Sequence, residues 1–232
     1  MRGMGMSRIM DYSFLFQSMN KSSGVDSFGR FRVNNANSKA VQSQLRAAGI
    51  DTNSKQYKRV MSEISKHPLA MTNIQGIKNL MKNYDADGDW ISPSGIAGMD
   101  ATDIPLAQRH VLIKIPEKNR QEMFDNAKRE FLEENGVANG DTTKRSDVFL
   151  NYQKEAKKAD RLKGTWTLEQ YERQYNKAFE DAVKAVDSTW EPGKKIPAGA
   201  LDGLTRENIE KSLVKTQGQY GETFTRGVDL RL

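Results

Sequence analysis

The sequence contains no cysteine and only two histidines, His67 and His110, among its 232 residues. Without cysteine the chain can form no disulfide framework, no thiolate zinc site and no cysteine nucleophile. Two histidines exclude a histidine-rich metal site and leave few candidates for a Ser-His-Asp triad. No apolar run approaches the roughly 18 residues that a membrane-spanning helix needs, so we expect no membrane span.

Large apolar residues are also scarce. Leu, Ile, Val and Phe together make up about a fifth of the chain, and the mean hydropathy is -0.74. That fraction lies at the boundary below which chains tend to be disordered. The formal net charge of +6 is small for this length, so charge repulsion does not favour disorder. The composition therefore predicts a modest core with polar terminal segments, in one domain or two small ones.

The basic excess lies mostly in the first 40 residues, which carry six basic and two acidic side chains. Residues 1–37 are therefore predicted to form a flexible basic N-terminal arm. Such an arm suits nucleic acid or an acidic surface, but it lacks a dense Lys/Arg cluster, which favours a solvated terminus instead. The apolar run at residues 14–16 predicts a protein partner, docked through residues 9–33.

The N-terminal segment has neither a long apolar core nor a small-residue cleavage site, so we expect no Sec signal peptide. Its Ser- and Asn-rich texture is similar to the uncleaved starts of proteins exported by flagellar-type secretion. The cellular location therefore stays open between the cytoplasm and export by such a non-classical route.

Helix signals dominate from residue 38 onward. Ser38 is predicted to cap a first helix that Gly49 ends, and residues 52–54 to cap a second that stops before Pro68. Thr72 is predicted to open a third helix.

The second half of the chain has the longer helical patterns. A helix is predicted from Glu117 to Glu134, with apolar residues at 3.6-residue spacing. Residues 141–143 are predicted to cap the next helix. Thr167 and Gln170 form a capping-box pattern at the start of the strongest helix, which Trp166 and Trp190 would flank. Thr205 is predicted to cap a last short helix.

Extended structure has few candidates. Residues 92–110 are rich in turn formers, and residues 110–115 form the best strand candidate because they are β-branched and bounded by Pro116. Residues 31–33 and 224–232 are its nearest possible partners. A short extended segment packed on helices is the alternative.

These patterns predict a mainly α fold, with a compact multi-helix body, at most a short strand or hairpin, and the flexible arm. Four segments are expected: the arm at 1–37, a helical segment with an acidic loop at 38–110, a helical core segment at 111–217 that forms one domain with 38–110, and a C-terminal tail at 218–232.

One segment, residues 83–92 (NYDADGDWIS), points to metal chemistry. Its carboxylates alternate with other residues, which turns several oxygens toward one point, and Ca²⁺ binds six to eight oxygens. Residues 83–96 resemble an incomplete calcium loop of EF-hand or dockerin-like proteins. The resemblance implies one bound Ca²⁺, with a structural role. The candidate ligand residues are Asn83, Asp85, Asp87, Asp89 and Ile91.

Two registers of this loop stay open. With Asn83 as the first ligand, Gly88 has the usual turn position. With Asp85 first, Trp90 replaces that glycine. Neither register has a glutamate at the twelfth position, where Ser94 or Ile96 lies instead. The other interpretation is a turn rich in Asp and Asn that binds no metal.

The whole chain resembles an uncharacterised family of proteins from Gram-positive bacteria of the Clostridia and Bacillus type. The resemblance rests on residues 11–16 (DYSFLF), 139–146 (NGDTTKRS), 161–168 (RLKGTWTL) and 171–175 (YERQY). It implies no established activity and therefore no catalytic residues.

Three functions are considered. The first, which the sequence favours, is a non-enzymatic structural or interaction protein with a calcium loop and a partner-docking arm. The second is a carboxylate- or metal-dependent hydrolase, using the acids of the loop or Glu130, Glu133 and Glu134 on one helix. The third is a nucleic-acid-binding accessory protein that uses the arm and the basic segment 154–163. No nucleotide-binding or hydrolase signature motif occurs.

Overall fold

The computed structural model of the chain describes residue 25 and residues 29–67, 71–137 and 143–227. The apolar run at residues 14–16, which is predicted to dock on a partner, lies outside these ranges. The chain divides into two compact units, Met1–Ala97 and Gly98–Leu232, called the first and the second unit below. The predicted segment boundaries stay predictions.

Three helices form the described part of the first unit: α1 (Lys39–Ala47), α2 (Lys55–Ser65) and α3 (Ile74–Met81). The hydroxyl of Ser38 accepts the N–H of Val41, and that of Ser54 accepts the N–H of Tyr57, as the sequence predicted. These caps satisfy backbone groups that the first helical turn leaves free. Gly49 ends α1 with a left-handed backbone, φ +74°.

The predicted cap of α3 was wrong. Thr72 does not cap this helix; Asn73 does, because its side-chain oxygen accepts the N–H of Gly76 at 2.7 Å. Thr72 lies instead in β2 (Met71–Thr72), which pairs antiparallel with β1 (Phe31–Arg32). Phe31 is completely buried in the core of this unit, and a 3₁₀ turn, Val33–Asn35, follows it. The structure therefore packs residues 31–35, predicted as part of the arm, onto the first unit.

A single helical turn, α4 (Leu106–Arg109), begins the helices of the second unit. Three long helices follow: α5 (Glu117–Glu133), α6 (Thr143–Glu155) and α7 (Arg161–Val186). The short helix α8 (Arg206–Lys211) comes after them. Asn135 and Gly136 end the α5 segment with positive φ angles, as their sequence predicted. Thr205 caps α8, also as predicted. The apolar stripe of α7 packs against α5 and α6, and Trp190 is buried beside its end.

The start of α7 was predicted wrongly. The helix begins six residues before Thr167, so Trp166 lies inside it. Thr167 is buried: its hydroxyl donates to the carbonyl of Lys163 at 2.8 Å and accepts the N–H of Ile113 at 3.0 Å. Thr167, the first residue of the predicted capping box, thus makes a tertiary contact instead of capping a helix.

Residues 110–115 form no strand, so the alternative of an extended segment packed on helices is correct. The polar tail predicted after residue 218 was also wrong in part. Strands β3 (Leu213–Gly218) and β4 (Gly221–Arg226) form an antiparallel hairpin with a two-residue turn. The prediction of a mainly α fold with at most a short hairpin is confirmed. Within the described ranges, no helix is long and apolar enough to cross a membrane.

Candidate functional site

A cleft of about 600 Å³ opens on the second unit, between the end of α5, the start of α6 and the middle of α7. That volume is within the range of small-molecule pockets. Acidic, basic and apolar side chains share its wall. The lining residues are Glu130, Phe131, Glu134, Gly136, Val137, Arg145, Arg173, Asn176, Lys177, Glu180 and Asp181.

The innermost charged group of this cleft is the carboxylate of Glu130, which is only 6% exposed. Two arginines hold it: Arg129 lies 3.4 Å from Oε1 and Arg145 lies 3.3 Å from Oε2. The same Arg145 guanidinium reaches Glu172 on α7 at 2.7 Å. One arginine at the start of α6 thus joins a carboxylate of α5 to a carboxylate of α7. The three helices are connected through their buried charges.

Glu172, the α7 carboxylate of this network, has a perturbed pKa. Burial raises the pKa of its carboxyl above the ordinary value, the opposing attraction of Arg145 being smaller. Removal from water disfavours the ionised form, and the attraction of Arg145 opposes this effect only in part. Glu172 does not itself line the cleft.

Other charged side chains of the cleft wall also have ion-pair partners. Glu180 binds Lys184 at 2.5 Å, Asp181 binds Arg226 at 2.7 Å, and Arg173 binds Glu169 at 2.5 Å. The carboxylates Glu130, Glu180 and Asp181 of the cleft wall are therefore all paired with cations.

A second buried network lies where α5, α7 and α8 meet. Arg206 donates to Gln121, Glu117, Glu207 and Glu210 at 2.5–2.9 Å. Glu210 also binds Arg120 and accepts the hydroxyl of Tyr175 at 2.5 Å. Burial raises the pKa of Tyr175, and its hydrogen bond to Glu210 raises it further. The tyrosine is therefore a neutral donor at physiological pH.

The predicted calcium loop is a tight turn in the first unit. The Oδ1 atom of Asp85 accepts the N–H groups of Asp87 and Asp89, at 3.0 and 2.9 Å. The N–H of Ile91 donates to the carbonyl of Asn83 at 2.8 Å, which closes the turn. Gly88 has φ +84°, as a tight loop requires.

The structure thus brings the first and the last candidate ligand, Asn83 and Ile91, together. Asp87 lies 3.5 Å from Lys55 on α2. Among the residues that the structure describes, no group of three or more His, Asp or Glu side chains is arranged to hold a metal ion. Calcium binding by these residues stays a prediction.

Glu130, Glu133 and Glu134 were predicted as a candidate set because they share one helix, but of the three only Glu130 and Glu134 line the cleft. Glu133 points elsewhere and is 58% exposed at its side chain. Arg145 and Glu172 were not selected. They lie 15 and 42 residues from Glu130, and no short-range pattern links positions so far apart.

Comparison with known proteins places most of the chain in one family. No curated protein and no solved structure matches the chain. Residues 50–232 match a family described as "Domain of unknown function (DUF3879)". This match covers both networks, the cleft and the acidic loop, and it extends over more than half of the chain. The chain therefore belongs to the DUF3879 family of domains of unknown function.

Proposed function

We propose that this chain is a non-enzymatic structural or interaction protein that binds a protein partner. The observation that supports the proposal is the pairing of the cleft carboxylates with arginine and lysine. A general acid or base must exchange a proton with bound substrate. Glu130, Glu180 and Asp181 instead face cations of their own unit. The Glu130–Arg145 pair joins α5 to α6, and the Asp181–Arg226 pair joins α7 to β4. We therefore assign these cleft charges a structural role.

The partner surface proposed from the sequence is residues 9–33. Phe31, near the end of that range, is buried in the core of the first unit. Val25, which precedes Phe31, is buried in the same core. The proposed contact therefore belongs to residues that precede Val25. The origin in Gram-positive bacteria stays part of this proposal, as does export by a non-classical route.

Replacing Glu130 by Gln tests whether this carboxylate is structural. We expect Glu130→Gln to lower the free energy of unfolding of the second unit by about 1.5–3 kcal/mol, because it removes a charged acceptor from two arginines. Glu133→Gln is the matched control. It changes a carboxylate on the same helix that also pairs with Arg129 but is exposed, and it should cost less than about 1 kcal/mol.

Urea denaturation followed by tryptophan fluorescence measures both variants. In a Trp90→Phe background the remaining tryptophans, Trp166 and Trp190, lie in the second unit, so emission reports that unit alone. Catalytic carboxylates are commonly kept at the expense of stability, and their replacement often stabilises the fold. Unchanged or increased stability of Glu130→Gln would therefore count against the proposal.

A carboxylate-dependent hydrolase is the second candidate, and one observation favours it. Glu130 and Glu172 share Arg145, and burial raises the pKa of Glu172. Acid–base hydrolysis uses a carboxyl of raised pKa close to a second carboxylate. A stabilising Glu130→Gln exchange would shift the preference to this candidate. The third candidate, nucleic-acid binding, gains no support from the residues described.

We further propose that the loop at residues 83–96 binds one Ca²⁺ with a structural role. The closure of the loop between Asn83 and Ile91 and the inward Oδ1 atom of Asp85 support this proposal. An incomplete ligand set suggests a Kd on the order of 10⁻⁴–10⁻³ M. Because free Ca²⁺ is abundant outside cells, such a site would favour an exported protein.

Calcium at about 10 mM is then expected to stabilise the first unit by about 1.4–2.7 kcal/mol, the linkage value at roughly 10 to 100 times Kd. Asp85→Asn combined with Asp87→Asn should abolish this gain. Asp51→Asn is the matched control, because Asp51 caps a similar turn through its Oδ1 atom outside the loop. Thermal unfolding and titration calorimetry with Ca²⁺ measure the effect. No heat and no shift at this concentration would refute calcium binding.

A further inference from the structure

Among the described residues, three cations line the cleft of the second unit: Arg145 near the start of α6, and Arg173 and Lys177 on α7. Arg145 and Arg173 have carboxylate partners. Lys177 is exposed and forms no ion pair or hydrogen bond with any residue that the structure describes. The cleft therefore offers one free cation to a negatively charged ligand.

Three of the four carboxylates of the cleft wall have cation partners that lie outside the wall. Glu130 binds Arg129, Glu180 binds Lys184, and Asp181 binds Arg226. These partners offset much of the repulsion between the carboxylates and a bound anion. Anion binding in the cleft then depends on the cations that remain available, and Arg145 is the one whose availability can change.

Arg145 is held between two carboxylates. Its Nε atom lies 3.3 Å from Glu130 Oε2, and its Nη1 atom lies 2.7 Å from Glu172 Oε1. Arg145 lines the cleft, whereas Glu172 does not and is only 16% exposed at its side chain. When Glu172 is protonated, its carboxyl no longer attracts Nη1 as an anion does. The guanidinium can then pair with an oxyanion that enters the cleft.

The surroundings of Glu172 favour the uptake of a proton. Burial is the largest effect, and it raises the pKa of this carboxyl above the ordinary value of 4.5, while Arg145 acts in the opposite direction. The other charged groups that face Glu172 are the carboxylates of Glu169 and Glu130, which raise the pKa further, and Arg173, which lowers it. A raised pKa means that the protonated form is substantially populated at about pH 5.

We propose that this cleft is a proton-gated site for a small molecule that carries an oxyanion group, bound by Arg145 and Lys177. Ionised Glu172 occupies Arg145 and weakens the site for anions. Protonated Glu172 releases Arg145, and the net charge of the cluster rises by one. The volume of about 600 Å³ admits such a ligand, and the planar fork of donors on arginine matches an oxyanion.

The proton and the anion then favour each other's binding. Because this coupling is reciprocal, the affinity for the anion rises as the pH falls, and a bound anion promotes protonation of Glu172. The proposal adds a ligand to the structural role of the cleft charges, and it does not depend on the protein partner of the chain.

Sulfate tests the site, because its charge stays constant between about pH 5 and about pH 8. NMR titration of the full chain follows the Nε–H signal of Arg145, with chloride at equal ionic strength to correct for screening. Sulfate should bind about tenfold or more tightly at about pH 5 than at about pH 8, the effect of one hydrogen bond to a charged group. Equal affinity at both pH values, or no saturable binding at either, would overturn the proposal.

Glu172→Gln separates this carboxyl from the other acids of the cleft. Because the amide is uncharged at every pH, the variant should bind sulfate at about pH 8 nearly as tightly as wild type does at about pH 5. Glu133→Gln is the matched control, since it removes an exposed carboxylate whose partner, Arg129, does not line the cleft. It should keep the wild-type pH dependence. The same pH dependence in Glu172→Gln would show that another group is the gate.

Lys177→Gln tests the second cation with little risk to the fold, because Lys177 is exposed and has no partner among the described residues. It should weaken sulfate binding at about pH 5 by about tenfold. Lys154→Gln, at the far end of α6, is the control and should leave the affinity unchanged. Equal affinity of Lys177→Gln and wild type would overturn the assignment to this cleft. These measurements are independent of the stability test on Glu130.

Discussion

Replacing Arg206 by Met is expected to lower the free energy of unfolding of the second unit by about 3–5 kcal/mol, the usual cost of removing one partner from a buried ion pair. Arg206 is 4% exposed although it carries a permanent charge. Its guanidinium binds three carboxylates and the side-chain oxygen of Gln121. Methionine fills much of the same volume but donates no hydrogen bond.

Most of this loss of stability should come from Glu210. The carboxylates of Glu117 and Glu207 are largely exposed, so water can replace the arginine there. The side chain of Glu210 is only 12% exposed, and it would keep only Arg120 and the hydroxyl of Tyr175. A buried anion that loses one of its cations retains its desolvation cost without the full compensation.

Two controls accompany this variant. Arg173→Met removes an exposed i,i+4 pair with Glu169 on α7 and should cost about 0.5 kcal/mol or less. Arg206→Lys keeps the charge but loses the planar fork of donors, so its cost should lie between the two. Urea denaturation in the Trp90→Phe background measures all three. Equal stability of Arg206→Met and Arg173→Met would show that the network contributes nothing to stability.

Replacing Gly164 by Ala should destabilise the second unit by about 1–3 kcal/mol, although alanine is the better helix former. Gly164 lies in the second turn region of α7 and faces the ring of Tyr152 on α6. A Cβ atom built at Gly164 would lie 1.8 Å from the tyrosine oxygen and 2.1–2.2 Å from two ring carbons. The buried ring cannot withdraw without losing its packing between the helices, so overlap outweighs helix propensity.

The sign of this effect should reverse when the ring is shortened. Tyr152→Leu removes the three atoms that the new methyl group would meet. In that background, Gly164→Ala should raise stability by up to about 1 kcal/mol, the propensity difference alone. Gly203→Ala is the control, because a Cβ atom there meets nothing within 4 Å. A Gly164→Ala effect of the same sign in both backgrounds would exclude the contact with Tyr152 as its cause.

Sequence alone was sufficient for features that depend on neighbouring residues. Ser38, Ser54 and Thr205 cap their helices in the structure as predicted. Asn135 and Gly136 end the α5 segment in the left-handed conformation that these two residue types adopt most easily. Each of these choices is made within one turn of the chain, where side-chain chemistry and backbone preference decide the outcome.

Tertiary contacts decided the cases where two local structures compete. Thr167 has the chemistry of a cap, but burial against Ile113 makes it an interior residue of α7. Residues 110–115 have the composition of a strand, but their polar backbone groups bind Thr167 and Glu222 instead of a ladder. The polar residues after 218 form β4, which pairs with β3 and accepts hydrogen bonds from Trp166 and Gln174 of α7.

The pairing of the cleft carboxylates was also decided by tertiary contacts. Glu130 was predicted as a candidate because of its helix. Its structural role depends on Arg145 and Glu172, and only the packing of α5, α6 and α7 brings these three side chains within ion-pair distance. The sequence by itself determined most of the helices, the helix ends at Ser38, Ser54, Asn135–Gly136 and Thr205, and the absence of cysteine chemistry. Only the tertiary structure decided which charges are buried and paired, because desolvation and Coulomb attraction depend on distances in space and not on separation along the chain.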